Sequence, residues 1–452
     1  MKKALLISLV IALLGFSSSF AYEDSPQTRS MPQQADSVTW EVTECEEDLT
    51  GETITFYHFG DLSGTFAFIS QPLVAGFTDG AEFLNETGGV CGATVVQEFR
   101  DTGGSQDQAQ AFWDELSVRD DAYSIFLYAS ADGELLREQA LEQETVIFIA
   151  AGSELALYGE DGTPGNMYAI IPLYADQLGG FCDYIAENWA SFGIEGDPVM
   201  GHVSWLGAFG QSTNTEAARA YCEAARVGYA GAEYYLPISP NVSTQVQAVV
   251  DNGANILFTT SLASGPAQIA GTVETEGLGD EVLVSGVNWV LDTSVIGLGG
   301  AATNGMVGLL PYTWWDEFEH PGVQVIAEKW RVNRLETAAT PTDALAVRNI
   351  AYLVSFASLD MWREAMVRTI NAVGWENLSG AALDATMQEF SYEPMGGIFR
   401  VDYTEGNRSV SSARIGSIQF IELDGNITPT IQPLTDWFDL PDLRTVGGAD
   451  VP

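Results

Sequence analysis

"ITFYHFGDLSGTFAFISQPLVAGFTDGAEFLNETGGVCGATVVQEFRDTGGSQDQAQAFWDEL", residues 54–116, is the stretch whose reading decides the fold. It opens on a β-rich run, Ile54–Phe59, which ends in the loop Gly60-Asp61-Leu62-Ser63-Gly64. Apolar residues at helical spacing follow over Pro72–Thr87 (Leu73, Phe77, Ala81, Leu84). Gly88-Gly89 stops that helix, as Gly does after a helix C-terminus. Ala93–Phe99 reads as a second strand and Ser105–Leu116 as a second helix. Strands separated by helical runs predict βαβ units and a parallel sheet.

The alternation continues outward. Tyr123–Tyr128 and Thr145–Ala150 read as strands, with helical Gly133–Gln143 between them. A second series has strands at Val199–Trp205, Glu233–Leu236, Ile256–Thr260 and Val282–Gly286. Its helices are Asp176–Phe192, Thr215–Val227, Val242–Asp251 and Gly265–Glu276. The prediction is two doubly wound α/β units in succession. Val323–Asn333 and Leu345–Val373 are strongly helical, and Ile415–Leu423 before Gly425-Asn426 reads as a β-hairpin arm. Residues 22–51, polar and acidic, read as a flexible leader with Cys45 as its anchor. The tail after Trp437, with Pro441, Gly447 and Gly448, reads as loose.

The N-terminus addresses the chain. Lys2 and Lys3 precede an apolar run from Ala4 to Leu14, and Ser19-Phe20-Ala21 places small residues before a cleavage point. That pattern is a secretory signal peptide, too short for a retained membrane span. With no Cys at its end there is no lipid-anchor site, so a soluble periplasmic or secreted protein starting near Tyr22 is expected. The net charge of −44 becomes −46 once Lys2 and Lys3 are lost. Phosphate binding needs clustered Lys and Arg, so a nucleic-acid partner or an anionic membrane surface is not expected. The acidity reads as solubility in an exposed or saline medium, since no calcium-loop spacing accompanies it. Cys45, Cys91, Cys182 and Cys222 form no CxxC motif. In an exported chain they allow three disulfide connectivities, and pairing within each predicted unit favours Cys45–Cys91 and Cys182–Cys222 over free buried thiols.

In open parallel sheets, ligands bind beyond the carboxyl ends of the strands. Three such ends carry small residues and hydroxyls: the Ser63 loop, Ala129-Ser130-Ala131-Asp132-Gly133, and Ala150-Ala151-Gly152-Ser153-Glu154. Their backbone N–H groups suit a carboxylate or an amide, although turn and N-cap chemistry uses the same residues. Catalysis finds little support. His58 and His202 lie in or beside predicted strands, and His320 sits in a Pro-Gly turn. Ser63, Ser130 and Ser153 have no evident base, and nucleophile-elbow, zinc and Walker motifs are missing. Trp314-Trp315 with Asp316-Glu317 reads as aromatics packing at a unit's edge before it reads as a sugar platform. No metal or cofactor is expected.

The opening stretch also resembles the type I periplasmic solute-binding proteins, the branched-chain amino acid, amide and urea receptors of ABC importers. The resemblance rests on Leu62-Ser63-Gly64, Gly89-Val90-Cys91-Gly92, Arg100-Asp101 and Asp107–Leu116, taken in order. It continues through Ile170-Ile171-Pro172, Leu206-Gly207-Ala208-Phe209-Gly210, Gly305-Met306-Val307-Gly308 and Met395-Gly396-Gly397-Ile398-Phe399, and covers roughly 52–436. It implies two Rossmann-like lobes joined by a three-strand hinge that closes on a small solute. The implied division is signal peptide 1–21, acidic leader 22–51, lobe one 52–168 plus 306–398, lobe two 169–305 plus 399–436, and tail 437–452. By motif position, ligand contacts fall on Ser130, Ala131, Gly152, Ser153, Phe68 and Phe209, with Ser63 in the first loop. Amino acid receptors place an acid after the strand at Ile256–Thr260, but here that loop is Ser261-Leu262-Ala263-Ser264-Gly265-Pro266. A buried ammonium without a carboxylate is costly, which argues against a simple branched-chain amino acid. Asn288-Trp289 nearby offers an amide and an aromatic wall. The expected protein is therefore a monomeric, non-enzymatic receptor for an amino acid-like, amide or carboxylate solute, delivering to a membrane permease. An exported sensor docking on a membrane receptor and an exported α/β hydrolase are the alternatives.

Overall fold

The computed structural model describes residues 40–423 and 425–451. The signal-peptide reading and residues 22–39 of the leader lie outside the described residues. The first sheet is five-stranded and parallel, in the order β2-β1-β3-β4-β5. Its strands are β1 (Thr53–Gly60), β2 (Thr94–Asp101), β3 (Ser124–Leu127), β4 (Val146–Ile149) and β5 (Met167–Ala169). Helices α1 (Ala67–Glu86), α2 (Gln106–Leu116), α3 (Ser130–Glu142) and α4 (Glu154–Tyr158) connect them. β4 is apolar throughout and β3 is apolar after Ser124, and both are fully buried, as a parallel strand covered on both faces must be.

After α5 (Tyr174–Asn188), a second parallel set runs β7-β6-β8-β9-β10. It comprises β6 (Val199–Trp205), β7 (Gly228–Tyr235), β8 (Ile256–Thr259), β9 (Leu283–Gly286) and β10 (Val307–Leu310). Between them lie α6 (Ala208–Gln211), α7 (Glu216–Ala224), α8 (Ser243–Asp251), α9 (Ser264–Glu276) and α10 (Thr293–Gly299). The chain then returns to the first lobe through α11 (Pro321–Trp330), α12 (Pro341–Leu345), α13 (Ile350–Val373) and α14 (Gly380–Met387). A short antiparallel pair, β11 (Ser391–Tyr392) and β12 (Val401–Asp402), follows. The hairpin β13 (Ser412–Leu423) and β14 (Asn426–Pro433) adds antiparallel strands beside β10.

α13 packs along α1, and Gly76 permits the close crossing: a Cβ there would lie 2.0 Å from the Ser355 Oγ. α13 starts at Asn349, whose side chain accepts from the Tyr352 N–H, so the expected helix from Leu345 is broken by this cap. Asp79 on α1 accepts from the Tyr352 hydroxyl of α13 and from Arg334, which follows α11, so a hydrogen bond joins α1 to α13 and an ion pair ties α1 to the segment after α11. Trp314 and Trp315 are both buried, with Trp315 Nε1 donating to the Asn349 carbonyl. Glu317 accepts from Arg414. That arrangement is a packed junction and leaves no exposed stacking platform.

Three sequence expectations about organisation are corrected. Val307–Leu310 pairs with β9 and β13, so residues expected to begin the return to lobe one are instead the last parallel strand of the second sheet. Residues up to Arg408 remain with lobe one: the Tyr403 hydroxyl donates to the Ala169 carbonyl, and the Ala169 N–H to the Arg408 carbonyl. The tail is not loose. β15 (Phe438–Asp439) pairs with β13, Leu443 is fully buried, and its N–H donates to Asp176. Arg444 covers the Tyr158 ring while pairing with Asp442. At the other end, Thr43 and Glu46 N–H groups donate to Glu364 and Asn371 of α13. Disulfides join Cys45 to Cys91 and Cys182 to Cys222, the second tying α5 to α7.

Candidate functional site

Each sheet has one place where strand order reverses. In the first it lies between β1 and β3, in the second between β6 and β8. Loops diverge there and leave a crevice at the carboxyl ends. The two crevices meet. The Phe66 ring after β1 lies 6.1 Å from the Trp205 ring ending β6, and α3 packs against α6. Phe209 on α6 stands 6.2 Å from Trp205 and 5.1 Å from Tyr174, the first residue of α5. Tyr174 accepts from Trp289 Nε1 at 3.1 Å. The junction is therefore lined by rings from both lobes and from the crossing segment.

The lobe-one side is built from caps. Ser130 is buried and its hydroxyl donates to the Ala151 carbonyl, linking the loops after β3 and β4. The Ala131 carbonyl accepts from Gln106. Ser153 accepts from the Ala156 N–H as the N-cap of α4 and donates to Glu134 at 2.7 Å. Gly152, Ser153, Tyr174, Ser212 and Arg444 border a cavity of about 20 Å³, room for one water molecule. Ser63 is exposed and lies toward Asp101 at the far edge. Phe68 is 41% exposed on the first turn of α1, so the ring from this segment that meets lobe two is Phe66.

On the lobe-two side, Asn288 and Trp289 are buried at the end of β9. The Asn288 N–H donates to Gln177, its carbonyl accepts from Tyr312, and neither side-chain polar atom has a partner. The loop after β8 turns inward: Ser261 bonds Thr259 and Thr260 bonds Thr213. Gly265 permits the turn, since a Cβ there would strike Ser261 and the Tyr235 hydroxyl. Burial pushes the Tyr235 phenol up to about 12.

Two acids at the lobe-one crevice were not singled out by the sequence. Asp61 accepts from the Gly64 and Phe66 N–H groups and shapes the loop after β1. Asp132, on the first turn of α3, is 8% exposed, and its carboxylate has no hydrogen-bond or ion-pair partner among the described residues. Burial, and then the Asp61 charge, push it up to about 6. In sequence, Asp132 looks like an ordinary first-turn acid of a helix.

The histidines are structural. His58 is buried with Nδ1 2.7 Å from the Tyr128 hydroxyl, and burial pulls it down to about 3. His202 is likewise buried and held near 3. His320 bonds the Gly396 carbonyl. None is a hydrogen-bond partner of Ser130 or Ser153.

Comparison with known proteins agrees with this geometry. A substrate-binding protein of an ABC transporter from Aeropyrum pernix superposes with a TM-score of 0.70 at 17% identity, covering 87% of this chain and 98% of its own. A branched-chain amino acid ABC transporter structure from Thermus thermophilus, with bound valine, gives 0.70 at 17%, covering 86% and 98%. A fatty acid ABC transporter substrate-binding protein from Thermomonospora curvata gives 0.68 at 16%, covering 91% and 97%. No curated protein matches by sequence. The family model described as "Periplasmic binding protein" matches residues 53–422, which includes the parallel strands of both sheets, and the chain belongs to that family.

Proposed function

We propose that this chain is the extracytoplasmic substrate-binding protein of an ABC importer, exported by its N-terminal signal and capturing one small polar or amphipathic solute between its lobes. The observation that carries the reading is the meeting of the two crevices. Hydroxyl- and amide-bearing loops of lobe one face rings of lobe two across the junction. Such a junction opens and closes by small backbone rotations at the crossings. Ser130, Ala131, Gly152, Ser153, Phe209, Asn288 and Trp289 are the proposed contact residues of the wall, with Phe66 taking the place expected of Phe68. The protein acts alone as a monomer on its ligand and catalyses nothing. The Ser130 proton is committed to a carbonyl; Ser153 donates to the Glu134 carboxylate, but that carboxylate has no third group orienting it among the described residues, so a complete nucleophile–base–orienter set is missing there.

Thermal-shift screening of the purified chain, followed by calorimetry of each hit, tests the reading. One-site binding without turnover is expected, with stabilisation of about 2.7 kcal/mol at one hundred times Kd. Hydrolysis of ester or amide probes that disappears on Ser130→Ala or Ser153→Ala would replace it with the hydrolase reading.

A further inference from the structure

We propose that the guest of this cleft is an organic ammonium ion, held by the Asp132 carboxylate at the β1/β3 crevice, with Phe66, Trp205 and Phe209 over its apolar part. The inference rests on the receptor reading above and names the solute class. Asp132 is more than nine-tenths buried and has no partner of its own, while Asp61 beside it is already engaged by two loop N–H groups. No Lys, Arg or His among the described residues pairs with Asp132. A buried carboxylate with a like-charged neighbour and no counter-ion is costly unless a cation arrives. The chain does not offer an inorganic alternative. Two carboxylates fall short of the six to eight oxygens calcium takes, and no cluster of three or more metal-ligating side chains exists among the described residues. Aromatic faces within the same junction attract organic cations through their quadrupoles. The lobe-two loop at Ser261–Pro266 has no acid for an ammonium; the required charge comes from the opposite wall.

The test uses the full exported chain and a matched set: the zwitterion valine and the cations isobutylamine and choline as ammonium compounds, isovalerate as the same skeleton without the ammonium, isobutyramide as the neutral amide, and calcium. Melting temperature and calorimetry are read for the wild type and Asp132→Asn. At least one of the three ammonium compounds should bind at least tenfold more tightly than isovalerate and isobutyramide, and Asp132→Asn should lose that preference. Binding of isovalerate or isobutyramide without the ammonium compounds overturns the charge assignment and leaves the receptor reading standing. So does an unchanged ammonium affinity in a folded Asp132→Asn, or saturable calcium binding lost in that variant. A set that moves nothing in any arm counts against both. If the Asn variant does not fold, the wild-type ranking alone decides.

Discussion

Asp132→Asn should stabilise the protein in a pH-dependent way. The side chain sits in a buried crevice beside Asp61, which raises it from the ordinary 3.8 to about 6. A raised acid is an unfavourable charge in the folded state. Below the unfolded value both states are protonated and nothing is lost. As pH climbs through the folded value the folded protein is forced to ionise, and stability falls until the cost is complete above it. At about 1.36 kcal/mol for each tenfold change in acidity, the full cost is about 3 kcal/mol. Asn keeps the shape and removes the charge, and Asp132 forfeits no hydrogen bond in the exchange. With an unfolding entropy of about 2.1 cal/mol/K per residue over roughly 400 residues, that cost corresponds to about 3–4 °C in Tm. Scanning calorimetry of both proteins from pH 4 to pH 8, with no solute added, measures it. The curves should meet near pH 4 and separate to that extent at pH 8. Superimposed melting temperatures at pH 8 would show that Asp132 is hydrated or paired, and the reasoning would be wrong.

The imidazoles of His58 and His202, both held near 3 by burial, should stay neutral from pH 8 to pH 5; an NMR titration with a midpoint between 6 and 7 for either would contradict their burial. Replacing Cys182 and Cys222 together with Ala releases a 40-residue loop and should cost about 4 kcal/mol by chain entropy, seen as a lower denaturant midpoint. Leu443→Ala should cost about 2–5 kcal/mol, because the side chain is fully buried beside α5, whereas a truly loose tail would show no change in urea unfolding.

What was legible in the sequence followed from local period. β3, β4 and β8 are short, largely apolar and buried runs, and β1 is rich in Thr, Ile, Phe and Tyr; their length and β-branched or aromatic content mark them as strands. β7 was harder, since Gly228–Tyr235 alternates Gly, Ala and Tyr with little burial, as an edge strand does, and only its last residues looked like a strand. Membership of β10 was not local at all. Val307–Leu310 reads the same in either lobe, and its place is set by antiparallel pairing to β13 more than one hundred residues later. The tail misled for a similar reason: Pro441 and the glycines signal a loop, but Leu443 and Arg444 anchor that loop through α5 and Tyr158. At the site, the hydroxyl loops could be placed from strand ends, while Phe66 and Asp132 could not. A ring at the end of a loop and an acid in a first helical turn are common surface choices, and neither the approach of Phe66 to Trp205 nor the burial of Asp132 is set by local period.

The position of Asp132 also bears on how closure is driven. Each lobe has its own sheet and shell of helices, so bringing the crevices together must be favoured by what lies between them. Rings contribute apolar burial, which favours closure whether or not a solute is held. An uncompensated carboxylate opposes it, since closing strips water from the charge. A cation reverses that sign, because the same stripped carboxylate now has a partner in a low-dielectric gap. The aromatic contacts alone would favour a cleft that shuts on nothing. Adding one costly charge makes shutting weaker without the solute than with it, and a solute can shift the equilibrium only by as much as its affinity differs between the two forms. A shift from one part in a hundred closed to ninety-nine requires about 5.5 kcal/mol of such difference. A carboxylate that is hydrated when the lobes part and stripped of water when they close supplies part of that difference with the required sign, and calorimetry of solute binding to the wild type and Asp132→Asn measures how large a part.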